Sequence, residues 1–282
     1  MCRFLLSLQA ALIAGVVAQN IPPRDVFGWR NEGGNASEPK KAAVASRPTR
    51  HDRNRYASAA QFSCESLATG LNTEDCEYMA SIGIRAQGEN AVALGPNGTG
   101  IWLGMDGPNT FTFINIAEVP MILIMWYRGP GDDQASFVNA RAPTISYSLP
   151  TRNSAVGISL ANGVPGGWSM LYNHTTPLTR YGQVDNTFGE FSTGEWATID
   201  VSRLVKMTGN AMTVSVSGGC VADMGQCAYA CDTDTDSCGD AGTYNLLGCR
   251  GTNAVQSVDP DGNPTGGCQG WSNGGHLDIF MM

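Results

Sequence analysis

Two carboxylates flanking a short turn, Glu190 and Asp200, with Glu195 between them, are the residues of this chain best suited to acid–base chemistry. Glycoside hydrolysis needs such a pair. One carboxyl is protonated to assist departure and one is ionised, about 5 Å apart for retention and roughly 6.5–9.5 Å apart for inversion. Strands on either side of a turn bring two groups to such distances. Trp168, Tyr172, Tyr181 and Trp196 lie near the same segments. An aromatic face stacks on a sugar ring while neighbouring carboxylates accept hydrogen bonds from its hydroxyls, so the same residues can bind carbohydrate without catalysis. The competing use of each ring is core packing, where aromatics bury large areas. The competing use of each carboxylate is solvation or acceptance of backbone N–H groups.

Other chemistries find less support. After removal of a leader only His51, His174 and His276 remain, with no close pair, so no transition-metal site is expected. An N-terminal Gln19 excludes a terminal-histidine copper centre. Asp232-Thr-Asp-Thr-Asp236, with Asp240, has the alternating oxygens that calcium favours. Ser237 and Thr243 stand where an EF-hand loop needs Gly and Glu, and Cys238 falls inside the loop. Asp259-Pro-Asp-Gly-Asn263 is a second partial match. Both read as acidic surface loops, and neither a metal nor a cofactor is expected. No serine-nucleophile elbow and no phosphate-cradling glycine loop is present.

The whole chain has 282 residues and a formal charge of −8. That charge is unevenly spread. Residues 1–57 carry nine Lys/Arg and four Asp/Glu, a balance of +5, which leaves −13 for residues 58–282. An acidic body argues against nucleic acid and anionic membranes as partners, since both require basic surfaces. Residues 1–18 read as a secretory signal peptide: Arg3, an apolar stretch from Leu5 to Val17, and small Val16 and Ala18 before the cut. Its removal takes Cys2 and leaves Cys64, Cys76, Cys220, Cys227, Cys231, Cys238, Cys249 and Cys268, an even set suited to four disulfides. Cys64 and Cys76 stand apart and suit a local loop. The pairing of the others is open. Sequons at Asn35, Asn97 and Asn173 fit an exported glycoprotein.

The elements that must position Glu190 and Asp200 are strands. Residues 19–57 are polar, basic and without hydrophobic periodicity, and read as a disordered linker or pro-segment. Residues 58–109 read as a short N-terminal lobe holding one local disulfide and a helix within 64–82. From Thr110 onward apolar and polar residues alternate in short runs: 110–115, 119–127, 144–149, 156–160, 167–172, 187–191, 197–201, 212–216 and 276–281. Pro150, Asn162-Gly163 and Gly129-Pro130-Gly131-Asp132 punctuate them. Many short strands separated by Gly and Pro predict a mainly β fold, a β-sandwich over 110–282 with a cysteine-rich C-terminal lobe.

The order of these segments resembles the thaumatin-like family. Thr110-Phe-Thr-Phe-Ile-Asn115 is similar to that family's first strand, and Gly163-Val-Pro-Gly-Gly-Trp168 to its glycine–tryptophan turn. Gly189-Glu-Phe191 resembles its Glu–aromatic pair, Ile199-Asp-Val-Ser202 its Asp–hydrophobic–Ser step, and Met212-Thr-Val-Ser215 the following strand. Cys220-Val-Ala-Asp223 with Cys227 is similar to the opening of its cysteine-rich region. The likeness spans about residues 110–250. It implies a β-sandwich with a disulfide-rich lobe, an acidic cleft between them, secretion, and binding or weak hydrolysis of β-1,3-glucan. Glu190 and Asp200 then correspond to the cleft glutamate and one cleft aspartate. The cleft arginine is missing, since its segment reads Met170-Leu-Tyr-Asn173, and Val205 replaces a second aspartate. The early cysteine pairs are absent as well. These departures match divergent, allergen-like secreted fungal chains better than a full glucanase cleft.

The expected protein is therefore secreted, extracellular or wall-associated, and monomeric, with no membrane contact after leader removal. Its expected partner is cell-wall polysaccharide, β-1,3-glucan first, or host or fungal surface glycans. Glu190 and Asp200 form the acidic pair, and Trp168, Tyr172, Glu195 and Trp196 the binding surface. A weak endo-β-1,3-glucanase and a non-enzymatic effector without a carbohydrate site are the two rivals.

Overall fold

A computed structural model describes residues 64–86, 99–128 and 140–282. The leader, the basic linker, the sequons at Asn35 and Asn97 and the turn at 129–132 lie outside these residues. The described residues run through one helix, α1 (Thr73–Ser81), then β1 (Ile101–Leu103), β2 (Asn109–Asn115), β3 (Met121–Tyr127), β4 (Ile145–Leu149), β5 (Ala155–Leu160) and β6 (Pro165–Tyr172). It continues with β7 (Phe188–Ser192), β8 (Thr198–Ser202), β9 (Met212–Val216), β10 (Val221–Ala222) and β11 (Ala228–Cys231). The last elements are β12 (Tyr244–Leu247), β13 (Ala254–Val258), β14 (Pro264–Cys268) and β15 (Gly275–Met281).

The strands form two sheets. One has the order β1-β5-β2-β15-β9-β10. The other runs β12-β11-β8-β7-β6-β3-β4, with the β13–β14 hairpin joined to β8. Most pairs are antiparallel; β15 with β2 and β11 with β8 run parallel. The fold is thus a mainly β sandwich, as the alternation predicts. The sheet begins earlier than expected, because Ile101–Leu103 pairs with Leu160–Ile158 ahead of Thr110. The three-residue β1 and the short strands of the cysteine-rich region carry too little periodicity to be legible.

The alternation of β2 is realised residue by residue: Asn109, Phe111, Phe113 and Asn115 are buried, while Thr110, Thr112 and Ile114 are half-buried. Phe111 lies at the centre of the core between the sheets. Its ring meets Trp168, Phe191 and Trp271 edge-on at 5.4–6.1 Å. Such pairs contribute about 0.5–1.5 kcal/mol beyond their buried area. The Trp168 indole reaches across its neighbouring strand to Gly189, where any Cβ would fall 1.9 Å from the ring. Glycine at 189 is therefore a steric requirement of the tryptophan.

The run Met121–Tyr127 is apolar on both faces, and the reason is two cores. Met121, Leu123 and Met125 face the inter-sheet core. Ile122, Ile124 and Trp126 face a second core, shared with Leu171, Phe188 and Val205 of the body and with Leu71, Cys76, Met79 and Ile84 of the N-terminal lobe. Helix α1 is capped by Asn72, whose side chain accepts from the Asp75 N–H, and Glu74 and Asp75 complement its first turn. The Cys64–Cys76 disulfide closes the expected local loop. His174 Nε2 lies 2.5 Å from buried Asp75, tying the turn after β6 to the helix.

The remaining disulfides are Cys220–Cys268, Cys227–Cys249 and Cys231–Cys238. The first anchors β14 beside β10, and the second joins the approach to β11 to the loop beyond β12.

Trp168 tests this packing. Trp168→Ala should lower unfolding free energy by about 3–5 kcal/mol, the usual cost of emptying a large aromatic site, measured as the shift of the urea midpoint. A cost below about 1 kcal/mol would contradict the central place given to this ring.

Candidate functional site

The β7–β8 hairpin sets Glu190 directly opposite Asp200. Phe191, Ile199 and Val201 enter the inter-sheet core. By the period of two, Phe188, Glu190, Thr198, Asp200 and Ser202 occupy the other face of the sheet. Directly opposed residues place their Cβ atoms about 4.5–5.5 Å apart, so the two carboxylates are true neighbours. The pairing expected from sequence is present.

The surroundings are built from further strands on both sides of the hairpin. Gly167 of β6 stands opposite Glu190, and a Cβ there would meet the Trp126 indole at 2.8 Å. A bare backbone lets that indole lie close beside the acidic pair. On the other side Tyr229 of β11 is aligned with Ser202. The Gly266 backbone favours the ionised form of the Tyr229 phenol, so the β13–β14 hairpin borders the site. Tyr244 of β12 packs edge-on against Tyr229, with centroids 6.0 Å apart. Arg128, just beyond β3, is near enough for its charge to act on Glu190.

Burial dominates the electrostatics. Glu190 keeps some exposed surface, yet it is set deep enough that desolvation raises its carboxyl from 4.5 to about 7. The Ser202 hydroxyl and the Arg128 charge oppose that rise. Asp200 is 0% exposed, and neither of its carboxylate oxygens has a hydrogen-bond partner among the described residues. Its carboxyl is raised well above the ordinary range, first by burial and then by the charge of Glu190. The Tyr229 phenol is raised by burial and by both carboxylates.

These facts revise several expectations. Asp200 was expected to reach a substrate, but it is sealed from solvent. Trp168, expected to stack on a sugar, is fully buried in the inter-sheet core. Tyr172 lies on that same inner side, half-buried against the core and five residues along β6 from Gly167. Glu195 and Trp196 do reach the surface. They sit in the turn joining β7 to β8, and Trp196 is 42% exposed. Tyr181 is exposed in the 178–184 loop, its ring covered by Arg180.

Arg128, Tyr229 and Tyr244 were not read from the sequence. The family likeness places the cleft cation near Met170, whereas here it comes from the end of a different strand. Tyr229 had a faint signal, since Cys227-Ala-Tyr-Ala-Cys231 alternates small inward residues with an outward ring. The acidic loop at Asp232–Asp240 does not converge on a centre. Asp232 accepts from the Asn245 side chain. Asp236 instead pairs with Lys206 at 2.6 Å and with Thr208. Asp259 accepts the N–H groups of Asp261 and Asn263 and closes its own turn. Asn173 is exposed in a tight turn after β6, with φ of 50°.

No protein-family model matches this chain, and no curated protein matches it. A structure described as a thaumatin-like xylanase inhibitor matches with a TM-score of 0.28 and 14% identity, over 61% of this chain and 97% of that one. A score and identity this low transfer neither ligand nor activity. The sandwich class rests on the sheets themselves.

The raised carboxyls set a direction for pH dependence. Glu190 holds its proton more tightly folded than unfolded, so its stabilising effect is complete below about pH 4.5 and is lost as pH rises through about 7. Asp200 acts in the same sense. In chelator-containing buffer, Tm should fall as pH rises across that window. Glu190→Gln should flatten the slope. An unchanged slope in the variant would remove Glu190 from this account.

Proposed function

We propose that the protein is a secreted binder of cell-wall polysaccharide, β-1,3-glucan first, with the surface around the β7–β8 hairpin as its site. The observation that carries this reading is the placement of an exposed indole and a solvent-reaching carboxylate on one hairpin. Trp196 lies in the turn two residues before β8, the strand that carries Asp200. Trp196 supplies a flat apolar face for a sugar ring. Glu190, Glu195 and Arg128 supply an acceptor-rich and donor-rich margin for its hydroxyls. Four disulfides suit an oxidising, extracellular setting, and exposed Asn173 offers a position for an N-linked glycan.

Hydrolysis is the weaker reading. The cross-strand spacing suits a retaining mechanism by distance alone. In that mechanism the second carboxylate must reach the anomeric carbon, and Asp200 is buried on all sides. The effector reading without a carbohydrate site predicts no glycan dependence at all.

Sedimentation with insoluble β-1,3-glucan separates these readings. The protein should partition to the pellet, and Trp196→Ala should weaken binding about tenfold, the scale of one lost aromatic contact. Protein wholly in the supernatant would overturn the binding reading. Laminarin should release no reducing ends at high protein loading; release lost in Glu190→Gln would restore the glucanase.

A further inference from the structure

Both carboxylate oxygens of Asp200, buried on β8, have no hydrogen-bond partner among the described residues, and the Ser202 hydroxyl beside them bears on Glu190. The two residues are two apart on one strand, so they project from the same face. Glu190 joins them from directly across the ladder. An isolated carboxylate without hydrogen bonds is expensive to bury. Backbone N–H groups normally relieve that cost, as they do at Asp259. At Asp200 no such donor is present.

The charges nearby leave an excess. Arg128 lies near Glu190 and offsets one negative charge. Asp200 has no cation of its own among the described residues. From the other elements around the pair come Tyr229 of β11 and Tyr244 of β12, which are neutral phenols, and Asp259, which lies towards Tyr244. With both carboxyls ionised, the group is a cluster of oxygens with a net negative balance and no soft donor, since every described cysteine is in a disulfide.

We propose that Asp200, Glu190 and Ser202 form a site for a hard divalent cation, with Ca2+ as the natural occupant. Oxygen-only donors select calcium or magnesium over transition metals. Asp200 supplies two oxygens, Glu190 one or two, and Ser202 a neutral hydroxyl. The ion neutralises the buried charge that Arg128 leaves, and it ties β7 to β8 beneath the exposed turn that carries Trp196. This site differs from the acidic loop at Asp232–Asp240, whose carboxylates are turned to Lys206, Thr208 and Asn245. It also stands independently of the glucan reading, since it needs no sugar.

Terbium is the direct probe, because Tyr229 and Tyr244 beside the pair can sensitise its emission. The purified protein, stripped with chelator and held at about pH 8 without glucan, should give Tb3+ luminescence on aromatic excitation, competed away by Ca2+. Ca2+ should also raise Tm saturably. Both signals should vanish in Asp200→Asn and in Glu190→Gln and persist in Asp236→Ala. No competed luminescence and no Tm shift in the unmodified protein would overturn the site. So would signals that survive in both cleft variants, or that disappear only in Asp236→Ala. If Asp200→Asn does not fold, Glu190→Gln decides.

Discussion

The packing of Trp168 against Gly189, beneath Phe111 and Phe191, is the constraint on which the rest depends. It fixes which side of β6 and β7 faces the core. A strand alternates faces with a period of two, so a slip of one residue would turn every side chain over. With Trp168 and Phe191 held inward, Gly167 and Glu190 have no choice but the other face. The opposing register then delivers Asp200 beside Glu190. The acidic pair is thus a geometric consequence of the aromatic core on the opposite side of the sheet.

That outer face would be an ordinary wet surface in a simple sandwich. Here it is partly roofed. The N-terminal lobe covers one end through Met79, Ile84 and Trp126. The β13–β14 hairpin covers the other, set beside Tyr229 at Gly266 and anchored by Cys220–Cys268. Glu190 and Asp200 lie between these covers and lose solvent from both sides. Their tendency to stay protonated follows first from that enclosure, burial being the largest cause for each, with the charge of Glu190 adding to it at Asp200. The disulfides therefore act on the chemistry of the site by holding its roof.

Arg128 follows directly on β3, and its charge opposes the rise of the Glu190 carboxyl. β3 is hydrogen-bonded to β6 and β6 to β7, so the ladder sets the end of β3 two strands from Glu190. Val205, beyond β8, enters the apolar core shared with the N-terminal lobe.

Local pattern alone was enough for the strands with long alternation or long apolar runs, β2 to β9 and β15, because burial on one face writes a period of two into the chain. The same rule makes the Cys64–Cys76 loop and the Glu190–Asp200 hairpin legible, since both are short-range. Tertiary structure alone decided which aromatics are buried. Trp168 and Trp196 are equally plausible stacking rings in sequence, and only the core between two sheets separates them. It also decided the pairing of the six later cysteines, the arrival of Arg128, Tyr229 and Tyr244 from distant segments, and the sealing of Asp200. Each of these depends on contacts between residues far apart in the chain, and no local periodicity records such contacts.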